Sequence, residues 1–381
     1  MKRIAVVITN RANYARIKYF LIAANNSKKI KLQIILSGSA LVYKYGELEK
    51  NLRQDGLKVS AKAFYLLDGG SEIIQAKSTG IGIIELSSAF EKLKPNFVLT
   101  VGDRYETVAT AIAATYMNIP LGHIQGGEVS GNLDENVRHA ITKLSHYHFA
   151  TTKKSMKRLL MLGEEKKRVF LTGCPSMDLI NIKNKTIHKT FNQEIYGTGK
   201  VLDPKKPYIV AINHPLSTST KENALNAKIF LESLLRRSEQ IVLFWPNADA
   251  GNDILAKTIR DYRETKKMKN FSFIINISPE NYVTLLSNAK CLVGNSSSFI
   301  REGSQLGIPA VIVGDRQNNR EIGNNVIRSK FEISKINKKI DMQIKKKRFR
   351  PQKIYGDGSA GKKIVKILEV LQLDINKVIT Y

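Results

Sequence analysis

The sequence predicts an α/β protein made of two doubly wound, parallel sheets that face each other across a cleft. Three observations lead there. A chain of 381 residues, 43% of them hydrophobic, is too long for one ordinary core and suits two domains. Short apolar runs alternate with helix-length amphipathic segments from end to end, the pattern of parallel strands joined by crossover helices. Between the halves, Asn181–Lys206 is rich in Asn, Lys, Thr and Gly and loses apolar periodicity, which reads as an interdomain crossing or a long surface loop.

In the first half the strands are placed at Arg3–Thr9, Lys31–Ser37, Asn96–Val101, Ile119–Ile124, Tyr147–Thr151 and Arg168–Thr172. Thr79–Leu93, Tyr105–Met117 and Ser155–Leu162 read as helices between them. The second half repeats the rhythm, with strands at Tyr208–Asn213, Ile241–Trp245, Phe271–Ile275, Lys290–Val293 and Ala310–Val313 and a helix at Phe299–Leu306. The domains are accordingly placed at 1–180 and 181–361, with a closing helix and tail at 362–381. Ligands of such sheets bind beyond the carboxyl ends of the strands, so the candidate residues are sought there.

Composition narrows the function classes. The 25 Gly, 10 Pro and 2 Cys exclude collagen-like chains and disulfide scaffolds. Cys174 and Cys291 lack partner spacing and read as reduced structural thiols of a cytoplasmic protein. With strand-like sequence from Arg3 and no continuous apolar run of about 18 residues, neither a cleavable leader nor a membrane partner is expected. Lys and Arg number 61 against 33 Asp and Glu, a net charge of +28 that favours anionic partners. No aromatic pattern of an RNA-binding sheet accompanies the basic residues, so they read as a solvated surface and no nucleic-acid partner is expected.

Four segments carry the chemistry. Gly294-Asn295-Ser296-Ser297-Ser298 joins a buried strand to a helix start, where hydroxyls, backbone N–H groups and the helix dipole suit a diphosphate. Asn213-His214-Pro215 ends another strand and offers a histidine to a phosphate or a proton. Asp103 in Val101-Gly102-Asp103-Arg104, Glu128 in His123-Ile124-Gln125-Gly126-Gly127-Glu128, and Asp134 gather carboxylates at one sheet edge, the arrangement general acid and base work requires. By contrast, Gly356-Asp357-Gly358-Ser359-Ala360-Gly361 matches a dinucleotide fingerprint only formally, since no βαβ unit follows and Lys363 stands where a magnesium-binding hydroxyl belongs. His139, His146 and His148 lack metal-site spacing, and no metal is expected.

At these residues the chain resembles the UDP-N-acetylglucosamine 2-epimerases, especially the hydrolysing branch that feeds sialic, legionaminic and related acid synthesis. The resemblance runs from Thr9-Asn10-Arg11-Ala12-Asn13-Tyr14 through Gly126-Gly127-Glu128-Val129-Ser130-Gly131, Arg138-His139-Ala140-Ile141-Thr142-Lys143 and Gly173-Cys174-Pro175-Ser176 to Ile354-Tyr355-Gly356-Asp357-Gly358. It implies two Rossmann-like domains of the glycosyltransferase-B type, a UDP-sugar substrate, no cofactor and a homodimer or tetramer. It also implies roles. Arg11 and Arg104 fall on the nucleotide-sugar side, His214, Ser296 and Ser297 on the diphosphate, Glu302 on the ribose hydroxyls and Arg316 on a further phosphate contact, while Asp103 and Asp134 fall on catalytic carboxylates.

The implied reaction removes the C2 proton and expels UDP, leaving a glycal to which water adds. Two positions depart from the family pattern: Gln125 stands where the hydrolysing enzymes commonly carry Glu, and Ala40 where they commonly carry His. Glu128 is the replacement base if the chemistry is kept. The alternatives are a non-hydrolysing 2-epimerase, a glycosyltransferase of the same shape and, from charge alone, a nucleic-acid-binding protein.

Overall fold

The computed structural model describes residues 1–42, 48–69, 71–130, 133–181, 191, 196–215, 220–246, 252–266 and 268–380. They form two compact units. The first takes Met1–Val129, Leu133–Asp178 and Tyr355–Tyr381, the second Leu179–Ile354 together with Ser130.

The first unit runs β1 (Lys2–Ile8), α1 (Arg11–Asn25), β2 (Ile30–Ser37), α2 (Leu48–Gln54), β3 (Val59–Ala63), α3 (Glu72–Leu93), β4 (Phe97–Val101), α4 (Tyr105–Tyr116), β5 (Leu121–Ile124), α5 (Leu133–Leu144), β6 (Tyr147–Ala150), α6 (Lys153–Met161) and β7 (Val169–Leu171). Its seven strands lie in the order β3-β2-β1-β4-β5-β6-β7 and pair in parallel. The period-2 geometry of β1 explains its apolar sequence from Ile4 to Ile8. Ile4, Val6 and Ile8 pack with Ile17, Phe20 and Leu21 of α1, while Ala5 and Val7 point the other way into Leu86 and Phe90 of α3 and Ala109 and Ala113 of α4. A strand covered on both faces has no position for a polar side chain.

The second unit runs β8 (Tyr196–Gly199), β9 (Tyr208–Ile212), α7 (Thr220–Leu235), β10 (Gln240–Phe244), α8 (Asn252–Thr265), β11 (Phe271–Asn276), α9 (Pro279–Asn288), β12 (Cys291–Gly294), α10 (Ser297–Leu306), β13 (Ala310–Val313), β14 (Val326–Ser329) and α11 (Ile333–Lys345). Its strand order is β14-β13-β12-β9-β10-β11-β8, parallel except for β8, which runs antiparallel to β11. The chain then returns to the first unit at Tyr355, where α12 (Ala360–Val370) packs Ile364, Val365 and Leu368 into the core of α1. The closing helix and tail are thus part of the first unit rather than a separate piece.

The segment Asn181–Lys206, expected as an interdomain crossing or a long surface loop, follows the passage between the units at Asp178–Leu179 and also contains a strand. Tyr196–Gly199 pairs as an edge strand and Phe191 is buried, whereas 182–190 and 192–195 lie outside the described residues. β3 and β14 were also not foreseen. All three are edge strands, half covered in β3 and β14 and exposed at 197–199 of β8, and therefore lack the continuous apolar run that marks a buried one.

Candidate active site

In each unit the chemistry-bearing segments sit at the carboxyl ends of strands at or next to the point where the strand order reverses. In the first sheet the crossover helices diverge between β1 and β4, and in the second between β9 and β12. At such a point two strand-end loops leave in opposite directions and open a crevice for a ligand.

Arg11 opens α1 directly after β1, behind Asn10, whose side chain accepts from the Asn13 N–H at 2.8 Å. Its Nη1 is buried with no hydrogen-bond partner among the described residues, and burial holds its pKa below the usual arginine range. A guanidinium nitrogen removed from water without a partner is costly, and an anion set against it would supply the missing acceptor. Beside it, the turn after β2 is fastened to the end of β1. Ala40 N and Ser39 Oγ both donate to Thr9 O, at 3.0 and 3.3 Å, and Ala40 is buried there.

The carboxylates lie at the ends of β4 and β5 and at the start of α5. Asp103 follows β4 and is gripped by Arg138 Nη2, whose Nη1 donates to the Glu128 carbonyl at 2.9 Å. Arg138 is 1% exposed and Asp103 20%, so the carboxylate reaches solvent from a fixed, cationic seat. Glu128 is buried and its Oε1 accepts from Thr151 Oγ1 at 2.7 Å. Gly127, with φ of +71°, lets this segment run against α6, because a Cβ there would lie 2.3 Å from Ser155 O. Asp134 stands in the first turn of α5, one turn before Arg138 on the same helix face.

Gln125 takes a left-handed conformation at φ +74°, uncommon for a residue with a Cβ. Its Oε1 accepts from Arg16 Nη1 at 3.4 Å and its Nε2 donates to Cys174 Sγ at 3.3 Å. An amide suits this position because it gives and receives at once. Arg104 forms a double hydrogen bond with the buried Glu106, at 2.9 and 3.2 Å, and so the structure turns it toward its own helix start.

In the second unit Asn295 binds the strand ends into one platform. Its side chain accepts from His214 N at 2.7 Å and donates to His214 O at 2.8 Å, while its own carbonyl accepts from Gln317 Nε2 at 3.1 Å. His214 after β9, Ser296 and Ser297 after β12 and Arg316 after β13 therefore share one carboxyl edge. Gly294 makes the close passage possible. At φ +137° a Cβ would lie 1.8 Å from Ile212 O. Ser296 caps α10, its hydroxyl 2.9 Å from Ser298 Oγ, which in turn meets Tyr282 OH at 2.5 Å. Glu302 lies buried further along the same helix.

The glycine-rich segment 356–361 holds an anion from its own chain. Asp178 accepts from Ala360 N at 2.8 Å and Gly361 N at 2.7 Å, capping α12 where a phosphate-binding loop would keep those donors open. The three histidines also have separate duties. His139 pairs with Glu135 at 3.6 Å, His146 Nδ1 accepts from Leu121 N at 3.1 Å and His148 meets Glu164 at 2.7 Å. Both cysteines are buried and unbridged, and burial pushes the Cys291 thiol up to about 12. No described helix is long and apolar enough to cross a membrane. Gly131, quoted with the Glu128 segment, lies outside the described residues.

The residues that hold the site rather than line it, Arg138, Thr151, Arg16, Asn295 and Gln317, have no role in the sequence reading. Two carry a usable signal there: Arg138 in its spacing of four from Asp134, and Asn295 in its place at the strand end before Ser296.

The family model described as UDP-N-acetylglucosamine 2-epimerase matches residues 22–369. The chain belongs to that family. It is 31% identical over 373 residues to a UDP-N,N'-diacetylbacillosamine 2-epimerase (hydrolyzing) of Legionella pneumophila, covering 98% of this chain and 97% of the relative. It is 32% identical over 338 residues to a GDP/UDP-N,N'-diacetylbacillosamine 2-epimerase (hydrolyzing) of Campylobacter jejuni, covering 87% and 85%. Among solved structures it is similar to the UDP-GlcNAc 2-epimerase of Neisseria meningitidis bound to UDP-GlcNAc, with TM-score 0.79, 21% identity and coverage of 97% and 99%. The fold of this epimerase-family enzyme is accordingly the glycosyltransferase-B type, with two Rossmann-like units.

Proposed function

We propose that the chain is a cytoplasmic, hydrolysing 2-epimerase of a UDP-linked N-acetylated or diacetamido sugar, releasing UDP and the free 2-epimer for nonulosonic acid and surface glycan synthesis. The observation that carries the reading is Arg138, which holds Asp103 and the Glu128 backbone in one frame beside Asp134. The relatives named as hydrolysing support it.

In this reading the first unit handles the proton and the second the leaving group. A C2 hydrogen beside an amide-bearing carbon is barely acidic, so the C1–O bond breaks ahead of proton removal and its electron pair leaves on the diphosphate. His214, Ser296, Ser297, Arg316 and the α10 dipole stabilise that charge, Arg11 adds a cation on the nucleotide side and Glu302 takes the ribose hydroxyls. Asp103 and Asp134 stabilise the positive charge growing at C1. Glu128 takes the C2 proton, because Gln125 has no basic oxygen. The resulting glycal gains OH at C1 and H at C2 on the opposite face.

Incubation with nucleotide sugars in D2O tests the whole scheme. Free UDP and a C2-deuterated epimer are expected, and an intact substrate across UDP- and GDP-sugar panels would refute it. An epimer still joined to UDP would instead identify the non-hydrolysing reaction, and transfer to an added acceptor a glycosyltransferase. Gln125 in place of the usual Glu is the observation that keeps these alternatives in the assay.

A further inference from the structure

The carboxylate site is framed from the C-terminal tail as well as from the strand ends. α5 presents Asp134, Arg138 and Thr142 at successive turns of one face. Arg138 fixes Asp103. Thr142 Oγ1 lies 3.2 Å from His123 Nδ1, and His123 Nε2 lies 2.8 Å from the carbonyl of Gly102, the residue before Asp103. At the far end of the helix, Lys377 Nζ donates to the carbonyls of Thr142, Lys143 and Ser145 at 3.0, 2.9 and 2.6 Å. It also pairs with Glu164 at 2.7 Å, where His148 Nε2 and Lys143 Nζ converge at 2.7 and 3.2 Å.

An ammonium at the negative end of a helix is favourable, and its contacts answer the Lys143 carbonyl of the last turn and the Ser145 carbonyl just beyond it, while sharing Thr142 O with the Ser145 N–H. The cost of placing it there is real, since the Lys377 side chain is only 17% exposed and burial lowers its pKa. Simple docking of the tail does not require that cost. Leu371 and Leu373 already pack on the core, and Asp374 is held by Arg168 at 2.8 Å.

We propose that Lys377 is a positioning residue for the carboxylate site. By gripping the end of α5 it sets the height and rotation of the helix that carries Asp134 and whose Arg138 decides where Asp103 and the Glu128 backbone stand. The UDP-binding and activity readouts rest on the proposed function; the amide-exchange readout does not.

The test uses the full chain with Lys377→Met and Lys377→Arg, and reads amide exchange by mass spectrometry, UDP binding and UDP release. In Lys377→Met, exchange across 133–145 should rise about tenfold. Its kcat should fall about tenfold while KM and UDP affinity stay within about twofold, and Lys377→Arg should restore most of the loss. If the Met variant no longer binds UDP, Lys377→Gln, which keeps donors without the charge, takes its place. Unchanged exchange in α5, or a change confined to 371–380, would overturn the proposal. If the wild-type chain releases no UDP from any nucleotide sugar, the proposed function falls, and the exchange measurement still decides the role of Lys377.

Discussion

Arg138 is the residue on which most of the acid site turns. Replacing it with Met leaves Asp103 without its cation and the Glu128 carbonyl without its donor. Urea unfolding should show a loss of about 3 kcal/mol or more, the cost of removing one partner from a buried pair. UDP release should fall at least about a hundredfold. Gln125→Glu puts a carboxyl into a 2% exposed site that Arg16 faces on one side and Cys174 on the other. Burial disfavours its charge, so the pH–rate profile should acquire an ionisation above the ordinary glutamate range, and an unchanged profile would count against that environment. His123 sets the acid limit. Burial pushes it down to about 3 from 6.5, so the folded chain keeps it neutral while the unfolded chain protonates it. Its contribution is whole above 6.5 and is lost as pH falls towards 3, at about 1.4 kcal/mol per pH unit. Glu164 adds a second loss between 4.5 and about 2: burial opposes its charge, but His148 and Lys377 outweigh burial. Thermal melts from pH 7 to 4 should show the decline, and His123→Gln should flatten its upper part.

At the scale of elements, the junction of β12 and α10 is the most exacting piece of backbone in the second unit. Gly294→Ala forces a Cβ toward Ile212 O at a left-handed φ, and should cost about 1–3 kcal/mol or more while abolishing UDP uptake in calorimetry. Retained uptake would mean that the β9 and β12 ends are not the diphosphate platform. Legibility in sequence followed coverage. β1, β4, β9, β12 and β13 are buried on both sides and announce themselves as apolar runs; β7, at an edge, does so through Val169-Phe170-Leu171, whereas the edge strands β3, β8 and β14 carry no such run. The serine cluster before α10 reads in sequence as a diphosphate site at a helix start, and in the structure Ser296 caps that helix. The grip of Asn295 on His214 could not be read, because the partners are 81 positions apart.

For the whole molecule, the proposed division of labour places cations and dipoles in the second unit where other enzymes recruit a metal. EDTA should therefore leave UDP release unchanged, and recovery of lost activity with Mg²⁺ would contradict it. The sequence by itself determined two parallel-dominated sheets, the strand ends that carry the chemistry and the residue types found there, since burial and turn geometry act within about ten neighbouring residues and leave a local pattern. Long-range folding alone sets Asp178 into the glycine-rich loop, seats Asp103 on Arg138 and brings Lys377 to the end of α5. Each of these is a charge meeting a partner that chain folding brings from far away, and a hydrogen bond across such a separation leaves no periodicity behind.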